Sequence, residues 1–112
     1  MSDCLFCKIA KKEIPSEVVY EDESFFAFKD INPQAPVHVL VIPKEHFATV
    51  NDLEDTNLAG GLVIKAKEIA KKLGVDQKGY RFVLNCLADA GQEVFHVHGH
   101  LLAGRKFTWP PG

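Results

Sequence analysis

Histidines 96, 98 and 100 occupy alternate positions of Phe95-His-Val-His-Gly-His-Leu-Leu102, so three of the chain's five histidines fall within five residues. Imidazole, with an ordinary pKa near ~6.5, can be a metal ligand, a general acid or base, or an unprotonated nucleophile at neutral pH. Side chains alternate along a strand, which would put His96, His98 and His100 on one face and Phe95, Val97, Gly99 and Leu101 on the other. Phe95, Val97 and Leu101 would then face the core. Two histidines at i and i+2, roughly 6.5–7 Å apart, can converge on one zinc, whereas a third at i+4 lies too far along to join easily. Glu93 or Asp89 would supply the carboxylate of such a site. The competing chemistry is covalent catalysis at phosphorus. A neutral imidazole attacks and leaves again once reprotonated, while its neighbours bond phosphate oxygens and fix its tautomer. The preceding loop suits that role, because Asn85 and Gln92 carry side-chain amides and Gly91 lets backbone approach an anion. Spacing alone does not choose between the two.

The cysteines raise a second question. Cys4, Cys7 and Cys86 make an odd count, which in a reducing compartment favours thiols or ligands over disulfides. Cys4-Leu-Phe-Cys7 has metal-ligand spacing, a weak signal on its own, and Cys86 reads as a small core residue.

The elements that must position these groups fit one domain spanning residues 1–112. Apolar residues make up 46% of the chain and charged residues 25%, with a net charge of −2. That balance excludes disorder and the basic footprint of a nucleic-acid binder. No apolar run reaches the ~20 residues of a membrane span, and Met-Ser-Asp-Cys does not open a signal peptide. A cytoplasmic location is expected, with the nucleus as a second one. Cys7 to Glu13 reads as a short basic helix stopping before Pro15. Val18 to Tyr20 and Phe25 to Phe28 read as a hairpin, Asn32 to Pro36 as a rigid loop, and His38 to Ile42 as a third strand. Asp55 or Thr56 would cap the one long helix, which Gly74 stops. Leu58, Leu62, Val63, Ala66, Ile69, Ala70 and Leu73 would form its apolar face. Gly60-Gly61 inside it, at roughly 1 kcal/mol each relative to alanine, suggests close approach of another backbone. Tyr80 to Leu84 and Val94 to Leu102 complete a five-stranded antiparallel sheet, so the fold class is α+β.

His96-Val-His-Gly-His-Leu-Leu102 resembles the signature of the histidine triad family. Asp30-Ile-Asn-Pro-Gln-Ala-Pro-Val-His38, Ile42-Pro-Lys-Glu-His46, Gly91-Gln92 and Trp109-Pro-Pro-Gly112 are similar, in the same order, to its nucleotide-binding branch. The resemblance implies a homodimer whose sheet continues across both subunits. It also implies binding of purine nucleotides (AMP, GMP and their phosphoramidates) and hydrolysis of adenosine 5′-monophosphoramidates through a nucleotidyl-histidine, with no cofactor for catalysis. On that resemblance His98 is the nucleophile and His100 contacts phosphate and leaving group. His38 stands beside the triad, and His96 orients the strand. Asp30 holds the ribose hydroxyls, while Phe6, Phe28 and Ile31 form the base pocket. Asn85 and Gln92 lie near the phosphate with Gly91 and Glu93, and Trp109 reaches the partner's site. A structural zinc held by Cys4, Cys7, His46 and His96 is also implied, against unligated thiols. A dinucleoside polyphosphate hydrolase, a nucleotide-binding regulatory module and a zinc enzyme at the triad are the alternative readings. Three departures stand out: Gly99 in place of a large apolar residue, Glu93 in place of a small hydroxyl residue, and Ala103 in place of the first of two glycines.

Overall fold

The computed structural model describes residues 3–112; the Met1–Ser2 start, read above as opening no signal peptide, lies outside them. One residue makes the first turn. Asp22 Oδ1 accepts from the N–H groups of Ser24 and Phe25 at 2.8 and 2.7 Å, and its Oδ2 accepts from the Tyr20 hydroxyl at 2.7 Å. These bonds fold β1 (Val18–Glu21) antiparallel onto β2 (Phe25–Lys29). β3 (Val37–Pro43), β4 (Tyr80–Leu84) and β5 (Gly99–Ala103) complete a five-stranded antiparallel sheet in the order β1-β2-β3-β5-β4. With the two helices the fold is α+β.

Each face of the sheet buries its own core. Phe25, Ala27, Val39, Val41 and Leu101 pack under Leu62, Ala66, Ile69 and Ala70 of the long helix α2 (Thr56–Lys72). Phe26, Phe28, Leu40 and Ile42 point the other way, onto Phe6, Ile9 and Ala10 of the short helix α1 (Leu5–Ala10). Burial of both faces is why β2 and β3 read as unbroken apolar runs rather than alternating ones. The α1 face carries the chemistry, because His38 and His100 share the parity of Leu40.

Asp55 caps α2, its Oδ1 accepting from Asn57 and Leu58 N–H at 2.9 and 3.4 Å, and Gly74 (φ +75°) follows the end. The expected apolar face is trimmed: Val63 is 53% exposed and Leu73 also lies outside the core. Gly61 is required by a side chain rather than a backbone. A Cβ there would lie 2.6 Å from Phe25 Cζ, while one on Gly60 would meet nothing.

Two boundaries differ from expectation. α1 covers residues 5–10 rather than 7–13, because Cys4 supplies the N-cap and Lys12 (φ +65°) turns the chain out of helix. β5 begins at Gly99, not Val94, so residues 94–98 are irregular. The alternation assumed there therefore fails: Phe95 is 50% exposed and His96 is fully buried. Other bonds fix this stretch. Val97 N–H donates to the Phe47 carbonyl at 2.7 Å, and the His96 ring bonds the Pro43 carbonyl. Cys86 is half-buried rather than a core residue.

Two of the three departures have a structural counterpart. The Phe82 ring fills the space over Gly99, where a Cβ would lie 2.1 Å from its Cζ. Ala103 is fully buried, and Gly104 alone takes the left-handed turn (φ +94°) against Pro36.

Candidate active site

A cavity of about 340 Å³ opens on the α1 face. His98, His100, Asp30, Asn85, Gly91 and Glu93 form its polar wall. Phe6, Phe28 and Ile31 lie on its apolar wall, joined by Leu5, Ile9 and Leu40, which the sequence reading missed. The i, i+3 and i+4 relations of Leu5, Phe6 and Ile9 on a short helix are the signal that could have found Leu5 and Ile9.

Backbone groups fix the tautomers of His96, His98 and His38, and His38 in turn fixes that of His100, because a carbonyl only accepts and an amide N–H only donates. His98 Nδ1 lies 2.7 Å from the His96 carbonyl, so the proton sits there and the lone pair sits on Nε2. The Gln34 N–H donates to His38 Nδ1 at 3.0 Å, which places the His38 proton on Nε2. That Nε2 lies 2.9 Å from His100 Nδ1 and 3.4 Å from Asp30 Oδ2. His100 Nδ1 therefore accepts, and its own proton is on Nε2. The site thus holds one nucleophilic nitrogen and one N–H donor on adjacent imidazoles whose ring centroids are 5.0 Å apart.

Burial keeps these rings neutral. It pushes the His98 pKa below the ordinary histidine value against the opposing bond to the His96 carbonyl and the charge of Asp30. It lowers His38 in the same way, again opposed by Asp30. His100 is lowered to about 4, by burial first and then by its neighbours His98 and His38. Asp30 also makes a local turn, its Oδ1 accepting from the Asn32 N–H at 2.8 Å.

One expected member stands elsewhere. Gln92 was expected beside the phosphate, yet it is buried and its amide ties its own loop to the segment at Ala48. Oε1 accepts from Leu87 N–H at 2.9 Å, and Nε2 donates to the Ala48 and Val94 carbonyls at 2.9 and 3.1 Å. Trp109, which the resemblance puts at a partner's site rather than at this one, is 82% exposed. Glu93 makes no ion pair among the described residues.

His96 belongs to a different constellation. Its Nε2–H donates to the Pro43 carbonyl at 2.7 Å, which frees Nδ1 to face Cys4, Cys7 and His46. The four donor atoms all lie within 4.8 Å of one another. Cys4 Sγ and Cys7 Sγ are 3.4 and 3.5 Å from His96 Nδ1, Cys7 Sγ is 3.4 Å from His46 Nδ1, and the two ring nitrogens are 3.2 Å apart. A tetrahedral zinc, with ~2.3 Å to sulfur and ~2.0–2.1 Å to nitrogen, requires edges of roughly 3.6 Å for S–N and 3.4 Å for N–N. The donors fit such an ion, and the Pro43 carbonyl is the outer partner that fixes a ligating histidine. Asp30, His38 and His100 also converge, but they do not fit a metal. His38 Nδ1 already accepts from Gln34, so a metal on Nε2 would leave that ring with no proton.

A small α+β domain with three tautomer-fixed histidines beside an apolar cleft defines a class. The HIT domain family profile matches residues 11–107, and the chain belongs to that family. Among its relatives, the purine nucleoside phosphoramidase of Escherichia coli (strain K12) is 45% identical, over 92% of this chain and 88% of that protein. The 14 kDa zinc-binding protein of Zea mays is 49% identical, over 99% and 89%. The crystal structure of a HIT family hydrolase from Legionella pneumophila Philadelphia 1 superposes with a TM-score of 0.95 at 54% identity, covering 98% of this chain and all of that one.

Proposed function

We propose that the chain is a nucleotide-binding hydrolase that cleaves the P–N bond of adenosine 5′-monophosphoramidates, giving AMP and an amine through a nucleotidyl intermediate on His98. The observation that carries this is the 2.7 Å bond from His98 Nδ1 to the His96 carbonyl, which commits Nε2 to the lone pair. The name of the E. coli relative supports the substrate class. His98 Nε2 attacks phosphorus while His100 Nε2–H, the one proton on a neutral ring, hydrogen-bonds a phosphate oxygen, and the departing nitrogen takes a proton from solvent and leaves as the amine. Water then attacks phosphorus and gives a proton back to solvent, and the bond from phosphorus to His98 breaks to leave AMP and the neutral imidazole. His38 keeps His100 in the donor tautomer throughout. Asp30 lines the cleft, and its carboxylate suits two vicinal ribose hydroxyls. Phe6, Phe28 and Ile31 suit a purine face, and Asn85 and the Gly91 backbone suit the phosphate.

A structural zinc on Cys4, Cys7, His46 and His96 is part of this reading, supported by the donor geometry and by the maize relative's name. So is a homodimer. Val63 and Ile64 of α2 are exposed and β4 is an edge strand, and a second copy would cover both and give Trp109 a surface to reach. No described helix is long and apolar enough to cross a membrane, and the reading places the protein in the cytoplasm.

The test is mass spectrometry of the protein mixed with an AMP-amide substrate, with metal analysis of the same sample. An AMP adduct on the His98 peptide and loss of turnover in His98→Ala are expected. Full turnover by His98→Ala would remove the mechanism.

A further inference from the structure

Helix α1 belongs to both sites at once. Its N-cap Cys4 and its own Cys7 face His46 and His96, while Leu5, Phe6 and Ile9 line the cavity. Cys7 N–H reaches Cys4 Sγ at 3.4 Å, so the two thiols and the cavity wall are parts of one turn. Phe6 stands edge-on to His98, with centroids 5.0 Å apart and planes at 89°, and lies 5.4 Å from Phe28. At six residues α1 is far below the ~12–15 at which a helix is marginal alone, so tertiary anchors hold it. One anchor is the packing of Phe6, Ile9 and Ala10; the other is the four-donor cluster. His96 ties the cluster to the chemistry as well, since its ring enters the cluster while its carbonyl holds the His98 Nδ1–H.

We infer that Cys4 and Cys7 are positioning residues for the nucleotide cavity: an ion held by Cys4, Cys7, His46 and His96 fixes α1, and through Phe6 it sets the affinity for the nucleotide. The inference rests on the nucleotide and zinc readings above. Without the ion, the thiol end of α1 is held by weaker contacts and the wall that would meet a purine loosens. An aromatic wall against a base carries roughly a fivefold to hundredfold share of affinity, so zinc is expected to tighten AMP binding about tenfold or more. Linkage is reciprocal, so AMP must tighten zinc binding by the same factor.

The experiment measures AMP affinity by calorimetry on the full chain, metal-free under reductant and then with equimolar zinc, together with zinc affinity by chelator competition with and without AMP. The rate at which a chelator strips zinc from the loaded protein reads the same linkage even if the metal-free chain does not stay folded, and AMP is expected to slow it. Phe6→Ala, loaded with zinc, is expected to keep the metal and lose the linkage. A chain that takes up no zinc overturns the inference together with the metal reading. Zinc uptake without any AMP binding overturns the nucleotide reading. If both ligands bind with unlinked affinities and an unchanged stripping rate, Cys4 and Cys7 are structural only and the inference alone fails.

Discussion

Consider Gly99→Ala, which adds one methyl group to the strand that carries His98 and His100. Gly99 is not among the residues with positive φ, so alanine meets no backbone strain there. By itself the loss of unfolded-state freedom would stabilise the fold by about 0.4–1 kcal/mol. The added Cβ, however, would lie 2.1 Å from Phe82 Cζ and 2.4 Å from Cε1. Ordinary carbon contacts are ~3.5–4.0 Å, so the ring must retreat by about 1.4 Å or more. Phe82 pairs opposite Leu101 and packs on the α2 core, so retreat either opens that core or displaces β4. Overpacking of this kind costs about 1–3 kcal/mol, which outweighs the entropic gain. Urea and thermal denaturation should show a net loss of about 1–2 kcal/mol, or roughly 4–8 °C in Tm. The cause is checked by repeating the change in Phe82→Ala. That variant alone should lose about 2–4 kcal/mol from the emptied space. With the ring gone, Gly99→Ala should become neutral or stabilising, a coupling of at least about 1 kcal/mol. Parental stability in Gly99→Ala, or the same effect in both backgrounds, would refute the claim that Phe82 replaces the missing side chain.

Gln92→Ala removes the acceptor of the Leu87 N–H and the donor to the Ala48 and Val94 carbonyls, and should cost about 2–3 kcal/mol by denaturant titration. A drop in AMP affinity with stability intact would instead return that amide to the phosphate. For pH, the folded His100 titrates near 4 while an unfolded histidine protonates near ~6.5. The unfolded chain therefore binds the extra proton first, so stability is full above ~6.5 and declines as pH falls toward about 4. His38, also lowered, adds in the same direction. Urea midpoints between pH 7 and 4.5 should fall accordingly, and imidazole nitrogen shifts should show His100 neutral at pH 5; a His100 titration near ~6.5 would sink the assignment.

Much of this was legible in the residues. The strands of the sheet follow from apolar and aromatic runs broken at Asp22, Pro33 and Gly79, and the long helix follows from its period and the Asp55 cap. Residue types and spacing left nucleophile and metal readings of the histidines open and the Cys4–Cys7 spacing a weak signal; only the family resemblance named His98 as the candidate nucleophile and joined Cys4, Cys7, His46 and His96 into one set. Gln92 was misplaced because an amide's partners cannot be read from its own position: Ala48 lies 44 residues away. The start of β5 was misplaced because alternating residues are necessary for a strand but not sufficient. A strand also needs a partner ladder, and residues 94–98 have other partners.

The sequence by itself determined which groups are present and that they come as a set. Family, fold class and the alternating triad are properties of residue identity and order. Only the tertiary structure decided which nitrogen of each of three nearly equivalent imidazoles keeps its proton. A histidine's role depends on which nitrogen keeps its proton, and that is set by carbonyl and amide groups at Pro43, His96 and Gln34 that no spacing reveals. The same holds for Gly99, whose missing side chain is replaced from a neighbouring strand by Phe82, because space in a packed core is shared by whichever residues meet there.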